Sequence, residues 1–342
     1  MMRASKVDVN VVTVPATPQA VPHGGRSSGR PLPIGYSVVL AVVLVGATAF
    51  GLLSDTPYRA APGVRPTLPD VLRGQDLLTL MTVPLLVWAG VRARAGSLRA
   101  HLLWAGLLLY YAYSYVMYAF APFTDAFLLY VAVMGMASFG LLDGVLRLRM
   151  DVVSAAFAQA PRRSLGVFLI AVAVLFAGMW LAMIAPAIPG GLPAGRQTYD
   201  IASAVHILDL AFVLPLLLTA GIMLWRGHVA GSALAGVLLC LKVTLALALL
   251  SMNLAFVPRP NPGETALWVT IAVIAAGWLA VGARRMRPSD APWLRPSIWC
   301  TDAELPALDN DADAAGGASG PTAATHPSEP SAATGATRGR QP

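Results

Sequence analysis

Two charged residues, Lys242 and Asp209, stand inside long apolar runs, where a lipid bilayer excludes charge. Lys242 lies roughly ten residues from the arginine-bearing end of its run, which puts its ammonium near the bilayer centre at 1.5 Å per residue. A lysine there raises the free energy of insertion by about 2.5 to 3.5 kcal/mol unless something offsets it. Snorkelling along the four-carbon stem or a contact to a backbone carbonyl is the ordinary offset. A proton, ion or anionic-substrate site is the functional one. Asp209 sits about two turns inside the opposite end of the preceding run, and His206 three residues earlier shares its helix face. A neighbouring carboxylate moves a histidine across the physiological pH range, which suits proton relay, with a structural hydrogen bond as the alternative. Lys242 and Asp209 differ in depth by roughly 9 Å, and an extended lysine stem covers much of that, so the pair is expected to be in direct contact.

The third apolar run carries Tyr110, Tyr111, Tyr113, Tyr115 and Tyr118, with Tyr130 on the next. Tyr115 and Tyr118 fall at the level of an interfacial aromatic belt. Tyr110 and Tyr111 lie too deep for that, so their hydroxyls need partners inside a bundle. Tyr111, Tyr115 and Tyr118 share one face, which can line a polar cavity or a quinone or sterol site, or simply hydrogen-bond between helices. Asp76, at the expected start of the second run, and Asp125, beside Thr124, read as helix N-caps. Asp143 and Arg147 are spaced for an ion pair along one helix, and Asn253 for a polar contact between helices.

Several chemistries find no support. His101 and His206 belong near opposite ends of the membrane, so they cannot share a haem. No P-loop, HExxH zinc motif or GxSxG elbow occurs, and Cys240 and Cys300 form no CxxC pair. No cofactor and no metal site is expected, and the short loops leave no room for a soluble catalytic domain.

These residues must be positioned by membrane helices. Hydrophobic residues make up 56% of the 342 and charged residues 12%, against about a quarter charged in soluble domains. Eight apolar runs occupy approximately 33-54, 75-92, 101-120, 125-146, 165-187, 202-225, 232-257 and 265-283, each of a length that crosses about 30 Å of hydrocarbon. Residues 1-32 read as a disordered basic lead, 33-287 as the transmembrane domain and 288-342 as a disordered tail, with Trp293 and Trp299 at headgroup level. Arginines alternate between loops: Arg92, Arg94, Arg99, Arg147, Arg149, Arg162, Arg163, Arg226, Arg284, Arg285 and Arg287 against Arg59, Arg65, Arg73, Arg196 and Arg259. The positive-inside rule then puts both termini in the cytoplasm of a plasma-membrane protein, and it accounts for the net charge of +7 without nucleic acid. A cleaved signal peptide ending near Ala47-Thr48-Ala49 is the rival for the first run.

An internal repeat is legible. Gln75-Asp76, Pro84-Leu85-Leu86, an arginine-bearing turn and Ala119-Phe120-Ala121-Pro122 are echoed by Leu208-Asp209, Pro215-Leu216-Leu217, a turn with Arg226 and Ala255-Phe256-Val257-Pro258. That order suggests a 4+4 parallel repeat about an axis along the membrane normal. The spacing from aspartate to proline differs by two residues between the copies, which turns the second aspartate by about 200°. These segments and the tyrosine-rich third run resemble an uncharacterised group of bacterial multi-pass membrane proteins, a resemblance that implies no activity. The expected fold is an all-α bundle of eight spans. The expected function is transporter-like or permease-like for a small solute or proton, with Lys242, Asp209, His206, Tyr111 and Tyr115 as the polar site. A non-catalytic membrane scaffold and a membrane enzyme acting on a lipid or quinone are the alternatives.

Overall fold

A computed structural model describes residues 31-32, 34-54, 58, 68-120, 123-188, 202-287 and 292-295. Among the described residues ten α-helices follow one another: α1 (Ile34–Leu53), α2 (Leu68–Arg94), α3 (Leu98–Ala119), α4 (Phe127–Leu146), α5 (Met150–Ala156), α6 (Arg162–Ile184), α7 (Ala202–Leu208), α8 (Leu214–Trp225), α9 (Gly231–Leu254) and α10 (Pro262–Arg285). A π-helical turn over Asp209–Val213 fuses α7 and α8 into one span. Of the described helical segments, eight are long and apolar enough to cross a membrane. The chain is an all-α polytopic bundle.

Each helix buries the stripe its sequence dictates. On α1, Leu40, Ala41, Leu44, Ala47, Thr48 and Gly51 recur at helical spacing and face inward. Val38, Val39, Val42 and Val45 on the other side are exposed and apolar, the signature of a face solvated by lipid. Helices α3 and α9 are buried on nearly all sides, whereas α10 buries only Ala272 and Ala275. α3 and α9 therefore form the centre of the bundle and pack on each other. Gly166 on α6 and Gly221 on α8 let those two backbones meet. A Cβ at Gly166 would stand 2.7 Å from the Gly221 carbonyl oxygen, so small residues set that crossing.

The two halves pair their helices alike: α1 with α2, α3 with α4, α6 with α8, α9 with α10. The turns after the second and sixth spans also match. Gly96 and Gly227 both adopt positive φ, at 89° and 72°. Ser97 N–H donates to Arg92 O and His228 N–H to Met223 O, closing the same C-terminal capping motif in both.

The structure amends three expectations. Helix α2 starts at Leu68 rather than near 75, so Asp76 lies well inside it and is no N-cap. Its carboxylate instead accepts hydrogen bonds from the hydroxyls of Tyr58 and Tyr118. Burial, with the Asp76 charge alongside, pushes the Tyr58 hydroxyl well above its ordinary pKa and keeps it a donor. Asp125 does not cap α4, whose N-cap Ala126 makes no side-chain hydrogen bond. Tyr115 and Tyr118 form no interfacial belt; both are buried, with Tyr130, in a ring cluster around Asp76. Other polar expectations hold. Arg147 meets Asp143 at 2.8 Å. Asn253 donates to Asn261 O and Thr265 Oγ1, joining α9 to α10. The deep hydroxyls of Tyr110 and Tyr111 lie 3.0 Å from Thr79 and Thr82 of α2.

At the arginine-rich end, residues 292-295 pack on the bundle. Leu294 bridges Leu148 and is buried, Arg149 N–H donates to Trp293 O, and the Trp293 ring lies 4.7 Å from that of His101. The ordered body thus extends past 287. The expectations for residues 1-30 and 296-342 fall outside the described residues.

Candidate functional site

Pro215 has no N–H to donate and its ring clashes with the carbonyl four residues back, so an α-helix cannot run through it undisturbed. The π turn absorbs this conflict. Leu214 N–H reaches back five residues to Asp209 O, widening the helix at the aspartate. The Asp209 side chain there is only 5% exposed, and both of its oxygens have donors. Tyr113 Oη on α3 donates to Oδ1 at 3.0 Å, and Trp180 Nε1 on α6 to Oδ2 at 2.8 Å. A carboxylate at this depth is tolerated because charge-assisted hydrogen bonds replace its water. His206, one turn earlier, is 6% exposed and sets its ring edge-on to Trp180 at 4.7 Å. The expected shared face of His206 and Asp209 is present.

Lys242 lies midway along α9, 8% exposed, with Nζ 5.8 Å from the Phe176 ring centroid. It makes no direct ion pair with Asp209, in contrast to the contact expected from their depths. The oxygens of Asp209 each accept one hydrogen bond, from Tyr113 and Trp180, and the lysine faces the aromatic wall of α6 instead. The two charges share one cavity of about 480 Å³, lined by Lys242, Asp209, His206, Tyr113, Trp180 and Gln75 among others. Asn253, Val257 and Glu264 line it too, so it runs from mid-bundle toward the arginine-poor end. Its volume is in the range of small-molecule sites, and its few convergent polar groups sit in apolar walls.

Three of the five expected site residues, Lys242, Asp209 and His206, are thus brought together. Tyr111 and Tyr115 are not. Tyr111 turns to Thr82 on α2, and the Tyr115 hydroxyl, buried beside Tyr118 and Tyr130, has no hydrogen-bond partner among the described residues. Tyr113, two residues from each, faces the other way on the helix and supplies the phenol that the cavity uses. Trp180 was not anticipated. An indole inside an apolar span, one turn from its end, whose N–H needs a partner was the available signal. Among the described residues no three His, Cys, Asp or Glu side chains converge to hold a metal ion.

An all-α bundle of eight apolar spans with apolar outer faces defines an integral, multi-pass membrane protein. Comparison with protein families, curated proteins and solved structures finds no match.

Proposed function

We propose that the protein is a permease for a small solute or ion, in the plasma membrane with both termini and the arginine-rich end in the cytoplasm. The carrying observation is the cavity itself: a cation, a carboxylate and an imidazole face one space inside the membrane. A bundle that needed polar groups only for packing would seal them against one another. Here Lys242 is left facing the cavity, where a solute anion or water can complete its shell. Asp209, held between Tyr113 and Trp180 with His206 one turn away, presents its carboxylate to the same space. The basic loops support the orientation, which opens the cavity to the exterior.

The test works whatever the solute is. Untargeted profiling of spent medium and cell extract compares a strain lacking the gene with strains restored by wild type, Lys242→Met or Asp209→Asn. The wild type should redistribute at least one small solute, and neither variant should do so at equal protein level. Identical profiles in all strains would remove the permease reading in favour of a scaffold.

A further inference from the structure

We propose that a second pocket, at the arginine-rich end, binds an anionic membrane lipid, its phosphate held by Arg92, Arg99 and Arg162 and an acyl chain lying on the apolar wall that includes Trp88, Leu103 and Trp278. The pocket is about 390 Å³ and opens between α2, α3, α6, α9 and α10. It does not depend on the permease reading.

Charge complementarity selects the occupant. Three guanidinium-bearing residues line this pocket and no carboxylate among the described residues does. The nearby acids are engaged elsewhere, Asp143 with Arg147 and Asp151 with Arg149. The three arginines retain unspent donors. Arg92 is exposed and forms no ion pair with a described residue. Arg99 uses Nη2 on the Met286 carbonyl at 2.8 Å, leaving most of its five N–H groups. Arg162 places Nη2 on Ser154 O at 2.7 Å, while its buried Nε has no partner among the described residues. A buried, unpartnered guanidinium N–H is costly in a finished protein, and a phosphate oxygen supplies the missing acceptor. Below this rim the wall is apolar, with Leu102, Leu165, Leu239 and Cys240 toward the bundle interior. Trp88 is half exposed, as suits an indole at the headgroup boundary. Basic pockets between spans on the cytoplasmic side are suited to anionic headgroups.

The full chain, delipidated in neutral detergent, is titrated with phosphatidylglycerol, with phosphatidylcholine of the same acyl chains, and with inorganic phosphate, read by melting temperature and native mass spectrometry. Phosphatidylglycerol should raise the melting temperature and remain bound at one per chain; the other two should do neither. Each of Arg92→Gln, Arg99→Gln and Arg162→Gln should weaken that binding roughly fivefold. Ala283→Trp keeps all three arginines, fills the apolar part from a half-buried position on α10, and should weaken it as well. Equal effects of the two lipids would overturn the proposal, as would stabilisation by phosphate alone, which makes the site one for a free anion. Unchanged affinity in the arginine variants would also overturn it. If those variants fail to fold, unchanged affinity in Ala283→Trp is sufficient to reject it.

Discussion

Replacing Trp180 by Phe keeps an aromatic ring on α6 but deletes the N–H that donates to Asp209 Oδ2 at 2.8 Å. A hydrogen bond to a charged group contributes about 1.5 to 3 kcal/mol, and the carboxylate it serves here is only 5% exposed. Tyr113 remains on Oδ1 at 3.0 Å, so Asp209 is half supported rather than abandoned. At roughly 2 to 4 °C per kcal/mol for a chain of this order of size, Trp180→Phe should lower the melting temperature in detergent by about 3 to 12 °C. The control is the same change in an Asp209→Leu background. With the acceptor gone the indole N–H has no carboxylate to serve, so Trp180→Phe should then have little effect. A double-mutant cycle therefore yields a coupling close to the whole single-mutant effect. Additive losses, or no loss from Trp180→Phe alone, would refute the assignment of Trp180 as a support of the carboxylate.

Other outcomes follow from the same geometry. Gly166→Val sets a branched side chain against the Gly221 carbonyl and should lower the melting temperature in detergent by the equivalent of about 1 to 3 kcal/mol, whereas Gly178→Ala, with open space around it, should not. Asp143→Leu leaves the buried Arg147 guanidinium without its carboxylate and should be destabilising by about 3 to 5 kcal/mol in the same assay, more than the double replacement with Arg147→Met. Leu294→Asp buries a charge beside Leu148 and should lower the melting temperature measurably; an unchanged value would show that residues 292-295 are not held on the bundle. Reporter fusions after Arg99, Arg163, Arg226 and Arg287 should report the cytoplasm and fusions near Phe123 and Pro260 the exterior, with an exterior signal at Arg287 contradicting the orientation.

The spans were legible because loss of charge over some 20 residues has one physical meaning in a chain this apolar. Their ends were less so. The first turns of α2 carry Asp70 and Arg73, which a search for apolar runs discards, although Pro69-Asp70 is itself a helix-start signal. Without those turns Asp76 stands at a helix start, whereas it is a buried acceptor well inside α2. Depth along a helix follows from residue count, so Lys242 could be placed near the bilayer centre and Asp209 about two turns inside the opposite edge from sequence alone. Azimuth does not, because it depends on which neighbour each face meets. The choice of Tyr111 and Tyr115 over Tyr113 failed for that reason, since both faces of α3 are buried. The direct contact of Lys242 with Asp209 failed similarly. Two groups at compatible depths still need facing azimuths, and Lys242 turns to the Phe176 ring while Asp209 turns to Tyr113 and Trp180. Pro215 marked a disturbance in the sixth span without saying that a π turn would resolve it.

The central claim, that the space around Lys242 and Asp209 is a solute site open to water from the arginine-poor end, is tested most directly by thiol accessibility in intact membranes. In a background with Cys240→Ala and Cys300→Ser, single cysteines at Ala246 and Leu249 line the cavity, and one at Val273 lies on the exposed outer face of α10. A charged, membrane-impermeant methanethiosulfonate added outside intact cells should modify the first two and spare the third. Protection of Ala246→Cys and Leu249→Cys alongside labelling of an exterior loop control such as Pro260→Cys would contradict it.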